Sequence, residues 1–106
     1  MLNLYYNRQG EPISQEEGTR LFGDIEGRRV ALTETSDADI STVHLVINHQ
    51  WRDGPPLIFE TMIFGGKHDQ CAWRYATEEQ ALEGHTKIVA ALQEDKLDEL
   101  WCDGCE

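Results

Sequence analysis

Apolar residues never run together for the roughly 18 positions that a membrane span requires. The chain also opens without a basic-then-apolar leader, so neither a span nor a secretory signal is expected. Basic side chains are scarce: nine Lys and Arg stand against twenty Asp and Glu, for a formal charge of −11. That balance argues against direct binding to nucleic-acid phosphates or anionic membranes, both of which would repel it. It leaves room for a basic protein partner, including a nucleic-acid-binding protein whose groove acidic groups would occupy by mimicry. Three cysteines are an odd number, which fits poorly with a disulfide framework and suggests a reducing cytoplasm. There is no G-x-x-x-x-G-K-[ST] phosphate loop, no G-x-S-x-G elbow and no H-E-x-x-H. Gly65-Gly66-Lys67 is too short to cradle a phosphate and reads as a turn.

What is present is clearest in Asp53–Gly66, DGPPLIFETMIFGG. Asp-Gly-Pro-Pro closes one turn, Gly-Gly opens another, and Leu57–Phe64 between them reads as a buried strand with one carboxylate, Glu60, near its centre. Upstream, Leu2–Tyr6 suits a short strand and Asn7–Glu11 a turn. Ser14 with Glu17 matches a capping box for a short helix carrying Leu21, Phe22 and Ile25. Arg28–Thr35 reads as a strand with Val30 and Leu32 inward. In Ile40–Trp51, Val43, Leu45, Ile47 and Trp51 fall on one face and Thr42, His44, Asn48 and Gln50 on the other.

Cys71–Tyr75 completes the strands, and Thr77-Glu78-Glu79-Gln80 caps a long helix with Ala81, Leu82, His85, Ile88, Val89 and Leu92 on one face. Short connections favour an antiparallel meander. The expectation is an α+β fold, an antiparallel β-meander sheet of about four to five strands with one long and one short helix packed on it. Its length of 106 residues allows one domain, taken as residues 1–93, followed by an acidic C-terminal tail at 94–106. A sheet with apolar residues on both sides and two helices to cover them also makes a homodimer plausible.

No spacing defines a catalytic pair, so no catalytic residue is assigned. Glu60 is expected opposite Val46 on one side and Arg74 on the other, with His44 diagonal on the same face. A structural ion pair of roughly 0.2–1 kcal/mol is the ordinary reading. A ligand-binding or acid–base patch of His44, Glu60 and Arg74 is the sharper one. Ile58, Met62 and Phe64 should share that face beneath some apolar cover. His85 reads as a neutral core histidine hydrogen-bonded to a backbone carbonyl or a strand side chain, and Gly84 beside it as a close approach to the sheet. Cys102 and Cys105 form a C-x-x-C that offers two ligands to zinc, but Cys71 faces inward and His68 is a lone addition, so no cofactor is expected, with zinc the alternative. A small-ligand or metal-binding protein, enzymatic or not, built on these thiols or on His44, Glu60 and Arg74 is the second reading. Leu97, Leu100 and Trp101 form an apolar edge among acids, suited to docking in a partner's groove or to folding back on the domain.

STVHLVINHQWRDGPPLIFETMIFGG followed by RYATEEQALEGH resembles a family of small uncharacterised proteins of tailed phages, especially actinobacterial phages and prophages. The resemblance spans roughly Val30–Val89. Asp53–Pro56, Ile58–Met62 and Tyr75–His85 are its most specific parts; the first 25 or so residues, Lys67–Cys71 and the cysteine-bearing tail depart from it. It implies a phage origin and action in a bacterial cytoplasm, and it carries no activity with it. Together with charge and size it leads to the expectation of a non-enzymatic accessory protein that binds a host or phage protein, in host takeover or counter-defence.

Overall fold

The computed structural model describes residues 4–48 and 54–94. The chain order is β1 (Tyr5–Tyr6), β2 (Pro12–Ile13), α1 (Gln15–Gly23), α2 (Ile25–Arg28), β3 (Arg29–Glu34), β4 (Asp39–His44), β5 (Phe59–Phe64), β6 (Ala72–Tyr75) and α3 (Glu78–Gln93). β3 to β6 form a four-stranded antiparallel meander, and β1 and β2 pair as a separate small hairpin. The fold is α+β, as the sequence leads one to expect.

Local chemistry accounts for most of the element ends. The Ser14 hydroxyl accepts from the Glu17 amide at the start of α1, and Thr77 and Gln80 form a reciprocal capping box on α3. Asp24 caps α2, a four-residue turn that sequence reading merges with its surroundings. Gly65 and Gly66 turn the chain with φ of 94° and 75°, a region that side chains with a Cβ disfavour.

One long helix, α3, packs against all four strands of the meander. Beneath it lie two apolar clusters. One gathers Ala38, Ile40, Ile63, Cys71 and Ile88; the other gathers Ile58, Phe59 and Ala81, with Tyr6, Val30 and Tyr75 against it. Gly84 lets α3 approach closely: a Cβ there would lie 2.1 Å from the Tyr75 hydroxyl oxygen. Cys71 is disulfide-bonded, although an odd cysteine count fits poorly with a disulfide framework.

The facing of two strands departs from expectation. In β4 the buried residues are Ile40, Thr42 and His44, so the nominally polar face is the one beneath α3 and Val43 faces away. The strand also ends earlier than Trp51. Val46, fully buried, adopts φ 71° and its carbonyl accepts from the Tyr6 amide, which breaks the alternation before Ile47. Trp51 lies outside the described residues. In β3 the register shifts between Arg29 and Ala31, leaving Val30 as an extra residue. Val30 keeps its place against the core, but the bulge puts Leu32 on the opposite face, 40% exposed.

Candidate functional site

Glu60 and Arg74 are cross-strand partners, as expected, and Arg74 Nε donates to Glu60 Oε2 at 3.1 Å. The other neighbour differs: Glu60 stands opposite Val43, not Val46. The pair lies on the sheet face turned away from α3. Met62 and Phe64 share that face through strand alternation, while Phe59, Thr61 and Ile63 point beneath the helix. Ile58, expected with them, is instead buried against Phe59 and Ala81.

Among the described residues no cover of the expected kind lies over Phe64, which is 49% exposed. With Leu32, Val43 and Met62 it forms an apolar field around the Glu60–Arg74 pair. Glu34 and Asp39, opposite each other across β3 and β4, border this field beside Phe64.

His44 does not join that group. It stands opposite Phe59 on the other face, 1% exposed, with the two rings 5.2 Å apart. Alternation explains the separation: a residue paired one position away from Glu60 must point to the opposite side of the sheet. His44 instead lines a cleft of about 300 Å³ whose other walls include Asn7 and Arg8 of the β1–β2 turn, Glu17 of α1, and Asp24 and Arg28 around α2. Burial, reinforced by Arg8, lowers the His44 pKa to about 4, against the pull of a hydrogen bond to the Tyr6 backbone. Its Nε2 is buried and has no hydrogen-bond partner among the described residues.

Comparison with protein-family models, curated proteins and solved structures finds no match in any of the three. The chemistry of the chain is therefore read from its own geometry.

His85 is the buried core histidine expected, bonded to strand side chains. Its Nδ1 lies 2.7 Å from Thr42 Oγ1 and its Nε2 lies 2.9 Å from Thr33 Oγ1, while Thr42 and Thr61 share a hydrogen bond. Burial lowers its pKa from the ordinary histidine value. With both ring nitrogens engaged, His85 acts as a strut between helix and sheet.

Cys102, Cys105, Leu97, Leu100 and Trp101 lie outside the described residues. Among the described residues no group of three or more His, Cys, Asp or Glu side chains is placed to hold a metal ion, and no helix is long and apolar enough to cross a membrane.

Sequence reading missed Arg8 and Arg28 as companions of His44. Arg8 bonds Glu78 across 70 positions of sequence, and Arg28 bonds the backbone of His44 across 16. Neither spacing is a recognisable motif, so no local signal pointed to them. Phe64 was visible as a neighbour of Glu60, but its exposure was not, because exposure depends on what the rest of the chain leaves uncovered.

Proposed function

We propose that this protein is a non-enzymatic binding module, and that the sheet face opposite α3 docks a host or phage protein with a basic, apolar-centred surface. The observation that carries this reading is the field of Leu32, Val43, Met62 and Phe64, with Leu32 and Phe64 40% and 49% exposed. Exposed apolar groups clustered on one face and rimmed by charge mark interaction surfaces. Glu34 and Asp39 at one border outnumber Arg29, opposite Val43 at the other, and with a chain charge of −11 they favour a basic partner and oppose a second copy of this acidic chain. The phage setting, host takeover or counter-defence in a bacterial cytoplasm, comes from the sequence resemblance alone. Nucleic-acid mimicry is the sharper form, in which the partner is a basic nucleic-acid-binding protein.

The test is capture from an actinobacterial extract by tagged wild-type protein and by Phe64→Asp, with circular dichroism verifying the fold of both. A stoichiometric basic protein retained by the wild type, lost by the variant and released as salt rises would support the reading. Capture that is indifferent to Phe64→Asp would overturn it. So would a purified dimer that the substitution splits, because the occupant would then be a second copy. Salt-insensitive capture sinks mimicry while leaving protein binding intact.

A further inference from the structure

The His44 cleft lies on the other side of the sheet from that docking face and calls for its own explanation. We propose that it binds a small organic anion that also carries a hydroxyl or N–H donor, with His44 Nε2 accepting from the donor and Arg8 and Arg28 balancing the negative charge.

Three observations converge on this chemistry. First, His44 is the buried member of the lining, and its Nε2 lacks a partner among the described residues. Buried polar atoms are ordinarily paired, and an unpaired one on a residue that lines a cleft of this size marks where a ligand atom belongs. Second, the nitrogen is an acceptor. His44 uses its ring for a hydrogen bond to the Tyr6 backbone, which leaves Nε2 a lone pair, and burial with Arg8 and Arg28 nearby keeps the ring neutral at ordinary pH. A bare anion would bring no donor to it.

Third, both arginines are held in place while keeping donors free. Arg28 Nε donates to the His44 carbonyl at 2.9 Å and its Nη1 to the Phe22 carbonyl at 3.1 Å, with the guanidinium 4.4 Å over the Phe22 ring. Arg8 Nε donates to Glu78 at 2.7 Å and its Nη1 to the Gly27 carbonyl at 3.4 Å. These bonds leave Nη2 of each guanidinium available, on side chains already ordered before a ligand arrives.

Three carboxylates stand around these arginines. Glu17 is bonded to Arg20, Glu78 to Arg8, and Asp24 accepts from the Gly27 amide while keeping its charge. Arg28 is therefore the guanidinium of the cleft that bonds no carboxylate among the described residues. At about 300 Å³ the cleft suits a metabolite-sized molecule rather than a polymer.

The experiment follows the His44 ring nitrogens by long-range proton–nitrogen NMR in the intact protein. Glycerol 3-phosphate and glycerate are titrated, with sulfate, glycerol and sodium chloride as controls. A saturable shift of the His44 Nε2 resonance is expected with the two hydroxylated anions, at least about tenfold weaker with sulfate and absent with glycerol or salt. Arg8→Gln should weaken it by about tenfold as well. An Nε2 resonance unmoved by either hydroxylated anion at about 10 mM would overturn the proposal, since binding weaker than that is not a site. A resonance already at its hydrogen-bonded position without ligand and unmoved on titration would do the same, showing a buried water only. If Arg8→Gln fails to fold, the comparison of the probes on the wild type decides.

Discussion

His85 joins helix to sheet through Thr42: its Nδ1 lies 2.7 Å from the Thr42 hydroxyl, which lies 2.5 Å from that of Thr61. Thr33 closes the other side of the ring at 2.9 Å. All three strand hydroxyls lie beneath α3, where polar atoms are costly unless paired. The cluster favours the facing in which Thr42 meets His85 and disfavours its mirror.

Thr42→Val should therefore cost more than its small change in shape implies. Two partners lose their bonds at once, and His85 Nδ1 is left buried without one. The expected loss is about 2–3 kcal/mol, read as a lower urea midpoint at unchanged slope. Thr42→Ser, which keeps the hydroxyl, should lose much less. A near-neutral Thr42→Val beside a costly Thr42→Ser would mean that the methyl group, not the network, matters.

Stability should fall on acidification because of His44. Its pKa is about 4 in the fold against 6.5 for the free side chain. Above pH 6.5 neither state is protonated and the full stability is present. As pH drops from 6.5 towards 4, the unfolded chain binds a proton that the folded chain refuses, and the penalty grows to about 3 kcal/mol. Acidification also relieves repulsion among the carboxylates, so the readout is the difference between wild type and His44→Leu. The variant should show a flatter decline between pH 6.5 and 4, and parallel curves would contradict the account.

Glu60→Gln should leave the fold intact. The Glu60–Arg74 pair is partly exposed, with side chains 13% and 32% accessible, and pairs of this kind contribute about 1 kcal/mol or less. Circular dichroism should be unchanged and the thermal midpoint only slightly lowered. Collapse of the fold would give this carboxylate a structural weight that its surroundings do not suggest.

Gly84→Ala should destabilise although alanine is the better helix former. The added Cβ would fall 2.1 Å from the Tyr75 hydroxyl oxygen and 2.4 Å from its Cζ, so the ring must move. Overpacking of this sort costs about 1–3 kcal/mol, which outweighs a gain of about 1 kcal/mol in helix propensity. In a Tyr75→Ala background the sign should reverse, as chemical denaturation of the double variant would show.

Much of this architecture could be read locally. The capping residues Ser14 and Thr77, the Gly65-Gly66 turn and the amphipathic stripe of α3 each act within a few positions of themselves. Hairpin connectivity likewise follows from short links between apolar runs. The Glu60–Arg74 register was visible for the same reason, since a short turn joins β5 to β6. What periodicity misjudged was which face of β4 lies inward. Thr42 and His44 look like a solvent face until His85 and Tyr6, distant in sequence, supply their partners.

Composition and short-range pattern thus determined that the chain is acidic and α+β, with a long capped helix over a meander. Tertiary structure decided the rest. It put the Val30 bulge and the Val46 turn where they reverse the expected facing, and it parted His44 from Glu60 and Arg74. It then brought Arg8 and Arg28 to His44 from elements that share no local motif. The physical reason is that hydrogen-bond capping and turn formation act between near neighbours. Burial and pairing of polar groups depend on surfaces that exist only once the sheet and α3 have met.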